Sequence, residues 1–133
     1  MLSILPIAVV SMNRSKQKGT RGETQVVKYL TACGLSAERR ALSGAADQGD
    51  IKFTVGDYEM TLEVKAGKQT ENPNRVQLTE WLRQTVVEGE NAGCDAALVV
   101  VRYRRSIKDA EVYVPMGDLI AFMYLDEFAN QYK

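Results

Sequence analysis

The sequence predicts an α/β domain in which helices flank a mixed central sheet, with the element order αβββαββα. Two neighbouring stretches, residues 50–55 and 58–65, alternate apolar and polar side chains with period two, which is typical of half-buried strands. Residues 75–91 carry apolar side chains at helical spacing. Residues 95–103 form a nearly continuous apolar run, typical of a strand covered on both faces. Together these patterns indicate a sandwich of helices around one sheet.

The elements follow one another with recognisable boundaries. A helix is predicted over about 20–33, ended by Gly34 at the position where glycine commonly terminates helices. The remaining predicted elements are a strand at 35–40, a loop at 41–49, a short strand at 111–115 and a last helix at about 116–128. In the 75–91 helix the apolar positions are Val76, Leu78, Trp81, Leu82, Val86 and Val87. The last helix has few polar positions, so its apolar side chains are expected in the core or in a dimer contact. These side chains are Leu119, Ile120, Phe122, Met123, Tyr124 and Leu125.

Length and charge limit the class of protein. The 133 residues suffice for one domain, expected at 18–133 behind an N-terminal extension and basic arm at 1–17. The stretch 2–10 is too short to span a bilayer, and Met12 is expected to be the natural start.

The net charge is zero, but residues 1–40 carry seven basic and two acidic side chains, an excess that could serve a phosphate-binding surface. The absence of histidine excludes imidazole-based zinc sites and Ser-His-Asp hydrolysis.

The two central strands predict a cluster of charged side chains. Gly56 and Asp57 link them, and glycine at the first of two linking residues suits a type II′ hairpin turn. If Val55 pairs with Tyr58, counting outward places Asp50 opposite Glu63. Like charges in this position are destabilising unless something compensates them. Lys65 lies two residues further on, on the same polar face.

Two carboxylates and an ammonium group brought together suggest hydrolysis of phosphodiesters at a divalent metal ion. Mg²⁺ prefers oxygen ligands, which Asp50, Glu63 and the backbone carbonyl of Val64 would supply. Lys65 would orient the attacking water or stabilise charge on the phosphate. The alternative is a solvated sheet face on which Lys52 and Lys65 balance the carboxylates.

Glu23 adds a third carboxylate with two interpretations. It follows Thr20 by three residues, so the pair also fits a capping box that needs no catalytic role. It also shares a helical stripe with Val26, Val27 and Leu30 that faces the sheet, where a carboxylate is costly unless paired or metal-bound.

The chain resembles the archaeal-type Holliday junction resolvases and their phage and bacterial relatives. These enzymes belong to the PD-(D/E)XK, restriction-endonuclease-like superfamily. The resemblance covers about residues 18–81 and rests on ordered elements. These are K-G-x-x-x-E opening a helix, an Arg-containing strand, S-G in a loop, an acidic residue before Ile, and E-V-K. Gly49 replaces the usual proline before the motif aspartate.

The resemblance implies a restriction-endonuclease-like αβββαβ core and a catalytic and metal-binding set of Glu23, Asp50, Glu63 and Lys65. The cofactor implied is Mg²⁺, with Mn²⁺ as a substitute. It implies DNA contacts by Ser43 and by Arg39 or Arg40, a functional Gln77, a homodimer, and a cytoplasmic enzyme of bacterial, archaeal or phage origin. Other basic residues could also contact phosphates or could be solvated surface charges. They are Arg14, Lys16, Lys18 and Arg21 near the N-terminus, Lys68 after the E-V-K strand, and Arg102, Arg104 and Arg105.

The function expected is therefore a Mg²⁺-dependent, structure-selective DNA endonuclease that resolves four-way junctions in recombination or repair. Two alternatives remain open at this stage. One is a PD-(D/E)XK nuclease that nicks duplex or acts as a restriction enzyme, and the other is a DNA-binding module of the same fold that does not cut.

Overall fold

The computed structural model describes residues 21–40 and 49–131, with side chains up to residue 124. Helix α1 covers residues 21–32 of this part and ends ahead of Gly34, as predicted. The following elements are strands β1 (Ser36–Arg39), β2 (Ile51–Val55) and β3 (Tyr58–Lys65), helix α2 (Arg75–Ala92), strands β4 (Asp95–Val100) and β5 (Glu111–Tyr113), and helix α3 (Met116–Gln131). The predicted order αβββαββα is confirmed. The expected arm at 1–17 lies outside the described residues.

The five strands form one mixed sheet in the spatial order β1-β2-β3-β4-β5. β1, β2 and β3 are antiparallel neighbours, whereas β3 and β4 run parallel because α2 carries the chain back across the sheet. The predicted hairpin register is confirmed, with Val55 opposite Tyr58, Phe53 opposite Met60 and Ile51 opposite Leu62. β4 stops at Val100, earlier than the predicted 103, because residues 102–105 turn away from the sheet.

Each face of the sheet packs against helices. Phe53, Met60 and Leu62 belong to a core cluster that includes Val26 of α1 and is bordered by Phe122 of α3. On the opposite face, Trp81 of α2 packs on Leu98 and Val100. Every residue of 96–100 is buried, which confirms that β4 is covered on both sides.

The buried stripe of α2 differs from the predicted one. Trp81, Thr85, Glu88 and Gly89 face the sheet, whereas Val76 is 78% exposed. Five residues separate Val76 from Trp81, so the two side chains point about 140° apart around a helix with 3.6 residues per turn. Among the described residues, no helix is long and apolar enough to cross a membrane.

Candidate active site

The carboxylate of Asp50 lies at the open end of the β2–β3 hairpin. Its Oδ2 accepts a hydrogen bond of 2.8 Å from the backbone N–H of Val64. The last pair of the strand ladder is Ile51 with Leu62. The N–H of Asp50 donates to the carbonyl of Leu62 and not to that of Glu63, its predicted partner. The prediction that Asp50 simply extends the ladder opposite Glu63 is therefore wrong in detail. Asp50 leaves the ladder and reaches towards the Val64 backbone with its side chain.

Gly49 allows this departure from the ladder. Its φ angle is +90°, and a Cβ at this position would lie 2.2 Å from Oγ1 of Thr61. Proline fixes φ near −65°, so it could not replace Gly49 without moving the chain. Glycine therefore occupies the position of the usual proline with a backbone conformation that proline cannot adopt.

Glu63 is a buried acidic group of the site, at 7% exposure. Its Oε1 lies 3.7 Å from Nζ of Lys65, and its buried Oε2 has no hydrogen-bond donor. Burial raises the pKa of Glu63 to about 8, helped by the neighbouring carboxyl of Glu88. Burial likewise raises the pKa of Asp50 to about 8, and the charge of Glu63 adds to the shift. The two predicted carboxylates therefore influence each other, as the sequence indicated.

Glu88 is a residue that the sequence analysis missed. It is buried on α2, and its carboxyl lies within hydrogen-bonding reach of Glu63. Its position seven residues after Trp81 and three after Thr85 places it on the buried stripe of the helix. That spacing was available in the sequence, but only the apolar side chains were used to define the stripe.

Lys65 is held between the carboxylate and an aromatic ring. Its Nζ lies 5.9 Å from the ring centroid of Trp81, and its side chain is 21% exposed. A cation at this distance from an indole ring is attracted by the electrons of the ring face. Trp81 thus contributes both to the core, as predicted, and to the position of the lysine.

The backbone of Val64 faces the Asp50 side of β3. The carbonyl of the next residue, Lys65, accepts a bond from Val101 beyond β4, whereas the Val64 N–H is bound by Asp50. N–H and C=O of one strand residue point to the same side, so the Val64 carbonyl is directed towards Asp50. This is the direction that the predicted ligand role requires.

Glu23 lies on α1 and is paired with a residue that was predicted to contact DNA. Nε and Nη2 of Arg39 both lie 2.9 Å from Oε2 of Glu23. The charge of Glu23 is one of the causes that raise the pKa of Asp50, so Glu23 is near the hairpin carboxylates. Its catalytic role stays a prediction, and the capping alternative with Thr20 lies outside the described residues.

The other predicted DNA contacts are dispersed. Arg40 donates to Glu59 at 3.3 Å, and it shares this single carboxylate with Lys52, which lies 3.4 Å from it. Arg21, Lys68 and Gln77 are exposed on α1, after β3 and on the first turns of α2. Lys18 and Ser43 lie outside the described residues.

The donor set fits a hard divalent cation, although it is not a closed cage. In residues 21–40 and 49–131, no three His, Cys, Asp or Glu side chains are grouped closely enough to hold a metal ion by themselves. Mg²⁺ does not require such a group, since it keeps several waters and binds through one or two carboxylates plus substrate phosphate. A buried carboxylate oxygen without a donor, Oε2 of Glu63, is costly unless a cation or proton compensates it. Asp50, Glu63 and the Val64 carbonyl are the groups that would hold the ion.

The mixed sheet with an Asp, a Glu-X-Lys strand and a preceding helix defines the PD-(D/E)XK nuclease class. The chain belongs to the family described as "Phage putative PDDEXK endonuclease", whose model matches residues 14–131. Among solved structures it is similar to Hjc, a Holliday junction resolvase from the archaeal hyperthermophile Archaeoglobus fulgidus. The similarity covers 71% of this chain and 75% of that one, at 24% identity and a TM-score of 0.53. It confirms the predicted fold. No curated protein matches the chain.

Proposed function

We propose that this chain is a Mg²⁺-dependent, structure-selective DNA endonuclease whose substrate is the four-way junction. The observation that carries the proposal is the meeting of Asp50, Glu63 and Lys65 at one end of the hairpin, where Glu63 Oε2 has no hydrogen-bond donor. Membership of an endonuclease family supports phosphodiester cleavage. The junction preference is supported by the likeness to Hjc and by the sequence resemblance to the resolvases.

Each side chain of the site has a proposed role. A bound Mg²⁺ ion would polarise the phosphate and lower the pKa of a bound water. Asp50 and Glu63 would hold the ion through their carboxylate oxygens, and the Val64 N–H fixes the orientation of Asp50. Lys65, positioned by Glu63 and Trp81, places a positive charge where the phosphate gains negative charge in the transition state.

A homodimer is part of the proposal, because a four-way junction presents two symmetry-related strands and a two-fold dimer would place one site on each. The last helix offers a surface for it. Its apolar side chains are exposed at Met116, Leu119, Ile120, Met123 and Tyr124, whereas Phe122 packs on the sheet. Light scattering should give twice the chain mass, and Ile120→Glu together with Met123→Glu should give the monomer mass.

The experiment that tests the function compares three labelled DNAs of shared sequence: a four-way junction, a flap and a linear duplex. With Mg²⁺ the protein should make paired, symmetric nicks confined to the junction, and EDTA should abolish them. Equal cutting of the linear duplex would instead indicate a nicking or restriction-type nuclease. Junction binding without any cleavage in Mg²⁺ or Mn²⁺ would indicate a module that has kept the fold and lost the reaction.

A further inference from the structure

The turn that follows β4 begins at the end of the sheet where the candidate active site lies, at the C-terminal ends of β3 and β4. β3 and β4 are parallel, and Lys65 is paired with Val100. The N–H of Val101 donates to the Lys65 carbonyl at 2.9 Å. Residues 102–105, with the sequence RYRR, therefore begin directly beside the end of the strand that carries Glu63 and Lys65.

The turn holds an arginine in a backbone conformation that arginine rarely adopts. The N–H of Arg105 donates to the Arg102 carbonyl at 3.0 Å and closes the turn. Arg104, the third of its four residues, has a φ angle of +60° and is the only non-glycine residue with positive φ in the described ranges. Positive φ at the third residue alone is the pattern of a type II turn, where glycine or asparagine is usual. Such conformations are concentrated at functional sites, because elsewhere a glycine would cost less.

Arg102 fixes the base of the turn and is itself neutralised. Its guanidinium donates to both carboxylate oxygens of Glu111, by Nε and by Nη2, and Nη1 donates to the Thr70 carbonyl at 3.4 Å. The buried hydroxyl of Thr70 in turn donates to the Val101 carbonyl at 3.0 Å. Arg102 is therefore a structural residue, and the prediction that it could contact phosphate is not supported.

Arg104 has the opposite environment. It is exposed, and its guanidinium carbon lies 5.0 Å from the ring centroid of Tyr103. No ion pair found among the described residues involves Arg104. Contact with the ring orients the guanidinium plane without using its N–H donors. Lys68, exposed just after β3, adds a positive charge near this edge of the sheet.

We infer that Arg104, held by the turn and by Tyr103, binds a backbone phosphate of the DNA strand next to the candidate active site. This inference rests on the proposed function, because it takes DNA as the partner. It gives a reason for an arginine at a position whose backbone conformation would suit glycine better. Phosphate contacts of this kind fix the position of a protein on DNA without reading the sequence.

Binding of a labelled four-way junction in EDTA, measured by fluorescence anisotropy between 50 and 200 mM salt, tests the inference. Arg104→Gly relieves the positive φ, so its melting temperature should equal or exceed that of the wild type. It should nevertheless bind about tenfold more weakly. The slope of log K against log salt should become shallower by about 0.9, the value for one lost phosphate contact. Arg104→Gln, which removes the charge at the original φ, should show the same loss, and Arg104→Lys should restore most of the slope.

Arg83→Gln serves as the matched control, because Arg83 is an exposed arginine on α2 that pairs with Glu80 at 2.6 Å. It should bind with the wild-type affinity and slope. If Arg104→Gly and Arg104→Gln also keep both values while the wild type binds the junction, Arg104 is no phosphate contact and the inference is overturned, whereas the proposed function stands. If the wild type itself fails to bind DNA, both proposals fail together.

Discussion

The backbone N–H of Val64 donates to the Asp50 carboxylate at 2.8 Å, across the open end of the hairpin. This bond joins the two predicted acidic segments of the site, because Val64 directly follows Glu63. It also fixes Oδ2 of Asp50 against the backbone of β3. The geometry of the Asp side chain is thus set by the strand that carries the other ligand.

Replacing Asp50 by Asn should separate catalysis from structure. The amide oxygen can still accept from Val64, so the melting temperature should change little, but the negative charge is lost. Mg²⁺-dependent junction cleavage should fall at least about a hundredfold, while junction binding stays within about threefold. Single-turnover cleavage and anisotropy measure the two quantities. Glu63→Gln and Lys65→Ala should also abolish cleavage, and activity retained in any of the three would mean that the site is misassigned.

The metal-free protein should lose stability as the pH rises. The pKa values of Asp50 and Glu63 are raised to about 8 in the folded state, whereas carboxyl groups in an unfolded chain titrate near pH 4. Between these values the folded state binds more protons than the unfolded state, so the free energy of unfolding decreases with pH. In EDTA the melting temperature should fall between pH 5 and pH 8.5, and Mg²⁺ should recover part of the loss at pH 8.5.

Variants of Glu63 and of its neighbour Glu88 identify the source of that pH dependence. Glu63→Gln should flatten the decrease, because one raised pKa is removed. Glu88→Gln should flatten it partly, since it removes a neighbour that raises the pKa of Glu63. Glu80→Gln, on the exposed side of α2, is the control that should leave the pH profile unchanged. A wild-type slope in both Glu63→Gln and Glu88→Gln would contradict the assignment.

Replacing Arg39 should weaken DNA binding more than it lowers the stability of the fold. Its side chain is 45% exposed, and ion pairs this accessible contribute about 0–1 kcal/mol. Arg39→Ala should therefore shift the melting temperature only slightly but weaken junction binding several-fold, if the predicted phosphate contact exists. Glu23→Gln breaks the same pair without removing the positive charge, so equal binding defects in the two variants would show that only the ion pair matters.

Gly49→Ala should destabilise the fold by about 1–3 kcal/mol through its positive φ alone, with an added cost from the contact with Thr61. The double variant with Thr61→Ala removes the clashing hydroxyl but not the backbone cost. Urea unfolding of the two single variants and the double variant should therefore show coupling of at least about 0.5 kcal/mol. Strictly additive effects would mean that the chain relaxes away from Thr61.

The hairpin and its register could be predicted from the sequence, because strict alternation and a two-residue link leave a single way to count the pairs. The contact between Arg39 and Glu23 could not, since it joins a helix and a strand with no periodic relationship. Glu88 was missed for a related reason. A buried glutamate is expensive unless another group compensates it, so an amphipathic pattern assigns it to the exposed side.

The sequence likewise could not predict which arginine of the turn after β4 is structural and which is exposed. Four consecutive residues with three arginines indicate a basic surface, and nothing in that composition separates Arg102 from Arg104. Glu111 makes the difference, because it lies nine residues later on the neighbouring strand and accepts two hydrogen bonds from Arg102. Individual roles within a charged segment depend on such pairing across strands.

Three of the four predicted cation ligands, Asp50, Glu63 and the Val64 carbonyl, lie in one hairpin between residues 50 and 64. Hairpins close in about 1–10 μs, whereas the parallel pairing of β3 with β4 has to await the 18-residue helix between them. Mutual repulsion of the acids therefore opposes one of the earliest steps of chain organisation, before most of the core exists. A divalent cation that neutralises the two carboxylates would remove this repulsion, so Mg²⁺ should speed refolding as well as support cleavage.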